Sequence, residues 1–182
     1  QQSGLSSLTW HCPCSSSSHF DSNLALTNLG DMLKRRTTLQ RLQFSAFDTG
    51  DLNVNHDSGF KNFVAGFGSC TSKPTILDLS FESYPSLAKD TWIAFARALE
   101  DHETLKVFIM NNPSWLYIEH DDASKAFGVA LKNSKTIRAA RLEFSILHTE
   151  AAAELASAIR ESRSLEGLNV VGSMTDSAVQ CI

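Results

Sequence analysis

Three short stretches of this chain bring together side chains that could do chemistry. His11, Cys12, Cys14 and His19 are of the ligand types that zinc prefers. Their spacing fits poorly, because a structural zinc site sets two ligand pairs on either side of a loop long enough to wrap the ion, whereas these four crowd around Ser15 to Ser18. A serine-rich connection without metal is the better reading. Asp48, Asp51, Asn53, Asn55 and Asp57 form an oxygen-rich run that superficially matches a calcium loop. An EF-hand beginning at Asp51 would need a glycine and a glutamate where His56 and Asn62 stand, so a solvated loop is expected instead. Glu119, His120, Asp121 and Asp122 could supply an acid and a base, but no nucleophile or oxyanion hole accompanies them. Acidic residues just before Ala123 are also what the positive end of a helix favours. No glycine-rich phosphate loop, Gly-x-Ser-x-Gly elbow or His-Glu-x-x-His motif is present, and Gly66 and Gly68 read as a loose helix end. The expectation is a protein that is not an enzyme, with no catalytic residue, cofactor or metal.

Charge and composition narrow the partners. The 182 residues are 42% hydrophobic and 20% charged, with a formal net charge of -4, which suits one ordinary globular domain. Neither a nucleic-acid backbone nor an anionic membrane is expected as partner, since both call for a positive footprint. The densest basic spot, Lys34, Arg35 and Arg36 followed by Arg41, reads as a helix C-terminus offsetting the helix dipole. No apolar run approaches the roughly 20 residues that span a bilayer. Residues 1–7 lack the charged and apolar parts of a signal peptide, so a cytoplasmic site is expected, with the nucleus as the alternative. The four cysteines, Cys12, Cys14, Cys70 and Cys181, are too few and scattered for a disulfide framework, and reduced thiols are expected. Asn112 is followed by Pro113, so the chain has no Asn-x-Ser/Thr acceptor, in keeping with an intracellular site.

The elements that position these residues come from a repeat. An apolar residue is followed by others three and five positions later at Leu5, Leu8, Trp10; Leu39, Leu42, Phe44; Ile76, Leu79, Phe81; Leu105, Phe108, Met110; Ile137, Ala140, Leu142; and Leu165, Leu168, Val170. The starts are separated by 34, 37, 29, 32 and 28 residues, within the period range of solenoid proteins. The last two members of each triplet have the side-chain period of a strand. Between triplets the apolar residues recur at three and four, as in Leu26, Leu29, Leu33; Phe60, Phe63, Val64, Phe67; Trp92, Phe95, Ala96, Leu99; Phe127, Ala130, Leu131; and Ala152, Leu155, Ala156, Ile159. That spacing lays one apolar stripe along a helix. Alternating strands and helices at this period predict parallel neighbouring strands with all helices on one side. A starting Gln with a triplet already at Leu5 suggests a piece of a longer protein.

The runs Ala98 to Leu105, Ala130 to Ile137 and Ala158 to Leu165 resemble the helix-to-strand junction of leucine-rich repeats, most closely the long-repeat, ribonuclease-inhibitor-like subclass. NOD-like receptors and activators of the Ran GTPase carry the same subclass. The resemblance covers about Leu5 to Val170 and implies an α/β horseshoe fragment of five to six irregular repeats in a single domain, strands on the concave face and helices on the convex one. The family's Asn, eight residues after each triplet start, is replaced by Phe47, Tyr84, Pro113, Ser145 and Ser173, which implies irregular stacking and irregular loops at 46–59 and 111–122.

Strand residues between the buried ones point onto the concave face. Counting from the triplets gives three rows there: Arg41, Asp78, Val107, Ala139, Gly167; then Gln43, Ser80, Ile109, Arg141, Asn169; then Ser45, Glu82, Asn111, Glu143, Val171. Arg41 beside Asp78 is expected to form a cross-strand pair of small net value. The mixed charge around Val107 and Ile109 suits a protein partner, bound through Arg41, Gln43, Asp78, Glu82, Ile109, Asn111, Arg141 and Glu143, with Trp115 and Tyr117 as aromatic anchors in the adjoining loop. Trp10 and Trp92 fall on core positions. Two other functions fit the same repeat: a GTPase-activating module like the Ran activators, and a purely structural segment of a longer array.

Overall fold

A strand with two inward apolar residues cannot bury them alone, so each must lie beside another strand and beneath a helix. The computed structural model, which describes residues 6–11, 22–35, 38–45, 57–70, 74–80, 87–111 and 121–174, meets that demand by strict alternation. In order come β1 (Ser7–His11), α1 (Ser22–Arg35), β2 (Arg41–Ser45), α2 (Asp57–Gly68), β3 (Ile76–Ser80), α3 (Lys89–Glu100), β4 (Val107–Asn111), α4 (Asp121–Asn133), β5 (Ala139–Leu147), α5 (Thr149–Glu161) and β6 (Gly167–Met174). The six strands form one sheet in sequence order, and every pairing is parallel. Each helix packs against the next, α1 on α2 through to α4 on α5.

Two ladders of side chains face the helices. One runs Leu8, Leu42, Leu77, Phe108, Ala140, Leu168, and the other Trp10, Phe44, Leu79, Met110, Leu142, Val170. The inner members are buried and the outermost ones on β1 and β6 only partly so. Over them lie the helix stripes expected from the spacing, with Phe95 at the hub: its ring lies 5.4 Å from Phe60, 6.2 Å from Phe67, 5.8 Å from Phe108 and 6.0 Å from Phe127. Such pairs add about 0.5–1.5 kcal/mol each beyond area burial. Trp92 is buried in this cluster, and Trp10 packs edge-on against Phe44 at 4.8 Å.

The third triplet is corrected by the register. Leu77 and Leu79 occupy the two core ladders, and the residue three before Leu77 is the buried Pro74, so the repeat begins at 74 and not at Ile76. A slip of two preserves which face each side chain points to and changes only its neighbours. Arg41 therefore stands opposite Ile76, while Asp78 stands between Gln43 and Ile109. The expected Arg41–Asp78 cross-strand pair is not formed.

Irregular stacking is not seen from β1 to β4, whose registers run without a shift; among the described pairings a shift occurs only between Phe144 and Ile146, where β5 meets β6. Regularity comes from the helix-to-strand junctions. The N–H groups of Thr75 and Ile76 both donate to the Gln40 carbonyl at 2.7 and 3.1 Å, those of Lys106 and Val107 to Thr75, those of Arg138 and Ala139 to Lys106, and those of Glu166 and Gly167 to Arg138. Hydroxyls add to it: Thr136 Oγ1 donates to the His102 carbonyl at 2.7 Å and Ser164 Oγ to that of Ser134 at 2.6 Å. Successive strand–helix units are thus tied to one another at these junctions.

The helix layer has its own ties. Asn23 Oδ1, at the start of α1, accepts the Gly59 N–H of α2 at 2.9 Å, and Asp57, first residue of α2, accepts the Ala88 N–H at 3.0 Å and the Thr91 hydroxyl. At these two steps a side chain at one helix start satisfies an orphan N–H at the start of the next helix. Gly66 is not a loose helix end. It is buried where α2 crosses α1, and a Cβ built there would sit 2.3 Å from the Gly30 carbonyl oxygen.

Candidate functional site

Helices cover one face of the sheet; the other carries the outward side chains of every strand. Its middle row reads Thr9, Gln43, Asp78, Ile109, Arg141, Asn169. Beside it run Arg41, Ile76, Val107, Ala139 and Gly167 on one flank, and Ser45, Ser80 and Asn111 on the other. Glu143 stands opposite Val171 at the β5–β6 pairing. Of the residues expected to bind a partner, Arg41, Gln43, Asp78, Ile109, Asn111, Arg141 and Glu143 thus share this open face. Glu82, Trp115 and Tyr117 lie outside the described residues.

Asp78 is the unusual member. It is only 8% exposed, and its Oδ1 has no hydrogen-bond partner. Burial raises its carboxyl above the ordinary 3.8, and the opposing pull of Arg41 and Arg141 does not cancel that effect. On the neighbouring strand Asn111 donates from Nδ2 to Ser80 Oγ at 3.4 Å, leaving its own buried Oδ1 unpartnered. Parallel register places Asn111 opposite Ser80, one pleat repeat beyond Asp78, so the two orphan oxygens lie on the same face of adjacent strands. An unsatisfied buried acceptor costs on the order of 1–3 kcal/mol. Both oxygens are acceptors that no donor of the described fold reaches.

Sequence reasoning missed a second cluster. Cys70 Sγ lies 3.7 Å from His102 Nε2, and the Phe67 ring stacks on the imidazole at 4.6 Å. A thiol beside a histidine suggests a nucleophile and its base. The hydrogen bonds argue otherwise. His102 Nδ1 accepts the N–H groups of Thr104 at 3.3 Å and Leu105 at 3.1 Å, which places the ring proton on Nε2 and leaves no lone pair for the thiol proton. Burial pushes the imidazole down to about 4, so at neutral pH the ring is uncharged. Ser134 Oγ accepts from Thr136 and Ile137, and Ser162 Oγ from Ser164 and Leu165, at the same place in the next two coils. His102 is a turn-capping acceptor of the same kind. The signal was its position, three residues before Leu105, as Ser134 is before Ile137.

The other chemical candidates settle as follows. Cys12, Cys14, His19, Asp48, Asp51, Asn53, Asn55, Glu119 and His120 lie outside the described residues. Asp57 is a helix clasp: burial would raise its carboxyl, but hydrogen bonds from Lys61, Thr91 and the Ala88 N–H outweigh that and hold it below the ordinary range. Asp121 and Asp122 open α4, and the Asp122 carboxylate pairs with Lys89 of α3 at 3.0 Å. Among the described residues, no three His, Cys, Asp or Glu side chains are grouped to hold a metal, and no helix is long and apolar enough to cross a membrane.

Fold and face together define a class: a two-layer α/β array with a sequential all-parallel sheet, closed by helices on one side and bearing mixed charge on the other. Compared with known proteins, the chain matches no family model and no curated protein.

Proposed function

We propose that this array is a leucine-rich-repeat-like solenoid, similar to the ribonuclease-inhibitor-like subclass, and that it binds another protein through the strand face. The observation that carries the reading is the middle row, where the unpaired Asp78, the half-exposed Ile109 and the exposed Arg141 stand side by side on β3, β4 and β5. Apolar and charged groups interleaved across adjacent strands suit an extended partner better than a small molecule, which calls for a concave apolar pocket with convergent polar groups. Fold alone does not assign a function, so the reading rests on this row. Nucleic acid and membrane are not the partners proposed, because the described residues of the face carry no basic run.

The test is the double charge reversal Arg141→Glu with Glu143→Lys. Proteins captured by the chain, quantified by mass spectrometry, are expected to fall about tenfold or more, while circular dichroism and the melting midpoint stay unchanged. Undiminished capture by a folded double variant overturns the reading.

The helix layer favours a second reading, a segment of a longer repeat array. Leu33, Phe67, Leu99 and Leu131 are at most 1% exposed, whereas Ile159, at the same place in α5, is 56% exposed. A further coil of the same geometry on α5 and β6 would cover it.

A further inference from the structure

We infer that the partner places an arginine side chain, flanked by acidic residues, against Asp78 and Asn111. This rests on the strand-face reading above and specifies its chemistry. Two buried oxygens, Asp78 Oδ1 and Asn111 Oδ1, lack a donor, and they sit on adjacent strands one pleat repeat apart. A single hydroxyl or backbone amide carries one donor and so satisfies one of them. The planar guanidinium carries five N–H donors in a fixed fork and can serve both, while neutralising a carboxylate that is otherwise buried without an ion-pair partner. An ammonium offers the charge without the fork.

The surroundings fix the neighbours of that arginine. Across the face, β2 carries the exposed Arg41, β3 carries Asp78, β4 carries Ile109 and β5 carries the exposed Arg141. Arg41 and Arg141 both act electrostatically on Asp78. Neighbouring strands lie about 4.8 Å apart, so a lone cation at Asp78 would stand within roughly 5–10 Å of two positive side chains and be repelled. Acidic residues on either side of the incoming arginine remove that repulsion by meeting Arg41 and Arg141. The complementary pattern is acidic, basic, acidic, and its apolar flank rests on Ile109.

The probe is the peptide acetyl-Glu-Arg-Glu-amide, titrated into the isotope-labelled chain and followed by the amide signals of Asp78, Ser80 and Asn111. A matched peptide carries citrulline, the neutral near-isostere, in place of arginine. The arginine peptide is expected to give saturable shifts at these three residues and to bind about tenfold tighter than the citrulline peptide, as a charge-assisted pair requires. In the Asp78→Asn variant, checked for folding by its melting curve, the two peptides should bind alike. Equal binding of both peptides to the unmodified chain, or no shift at Asp78 and Asn111, overturns the inference and leaves water as the occupant of the orphan oxygens. If the shifts fall on Arg41 and Arg141 for both peptides, the strand-face reading survives without the arginine. Shifts confined to the helix layer overturn both.

Discussion

Two side chains, Asp78 and His102, are perturbed in opposite senses. Burial raises the Asp78 carboxyl above its ordinary 3.8, so the folded state holds that proton more tightly than the unfolded chain. Its contribution is fully favourable below the unfolded value and is lost as pH rises through the folded value. Asp78→Asn should therefore raise the melting temperature at pH 7, by roughly 2–4 °C for about 1 kcal/mol, with the gain shrinking toward pH 4. A midpoint that falls at pH 7 would show that the carboxylate is stabilised by its surroundings. His102 works the other way. Its imidazole titrates at about 4 in the fold against 6.5 in the unfolded chain, so its neutral form supports the fold fully above 6.5 and support drains as pH drops from 6.5 toward 4. With allowance for partial exposure of the ring, urea titrations should lose roughly 1–2 kcal/mol of stability between pH 7 and pH 4.5. His102→Ser, which supplies the hydroxyl acceptor used at Ser134 and Ser162, should remove that loss while keeping the turn. An unchanged pH slope in the variant would assign the acid sensitivity elsewhere. Neither role was legible from residue type, because an imidazole nitrogen replaces a serine oxygen and a carboxylate's burial depends on register.

At the scale of elements, the alternation of strand and helix and most of the core followed from spacing alone. Leu26, Leu29 and Leu33, the Phe60 to Phe67 stripe, and Trp92, Phe95, Ala96 and Leu99 are all buried as periodicity requires. The phase of β3 did not follow. Ile76, Leu77 and Leu79 accommodate a triplet in either of two phases, and the leading position holds Pro74, whose ring fills an aliphatic place without looking aliphatic. The crossing of α1 and α2 was equally hidden, since a glycine inside a helix reads as weakness until a second backbone is seen against it. Gly66→Ala should destabilise by about 1–3 kcal/mol, because the added methyl meets backbone that cannot swing aside. Gly68→Ala is the control: its methyl would make an ordinary contact with Ala98 at 3.5 Å. Equal midpoints for the two variants in chemical denaturation would show that α1 and α2 separate at little cost.

For the molecule as a whole, the repeat was legible because stacking neighbours must bury a continuous interior, and that demand leaves a period in the sequence. The face opposite the helices was legible only as a parity, inward or outward; neighbour relations along it waited on hydrogen-bond register. The missing Asn suggested disorder in the stack, yet order is supplied at the opposite end of each strand. There a single carbonyl oxygen, on Gln40, Thr75, Lys106 or Arg138, is shared by two N–H donors from the following coil. Such forks join only consecutive coils, so loss of one loosens its neighbours without touching distant ones. Disturbance at one junction is accordingly expected to pass from strand to adjoining strand and to weaken with each step. Both β3 and β4 are clasped by a strand on either edge, so the row around Asp78 would keep its geometry when a more distant junction opens.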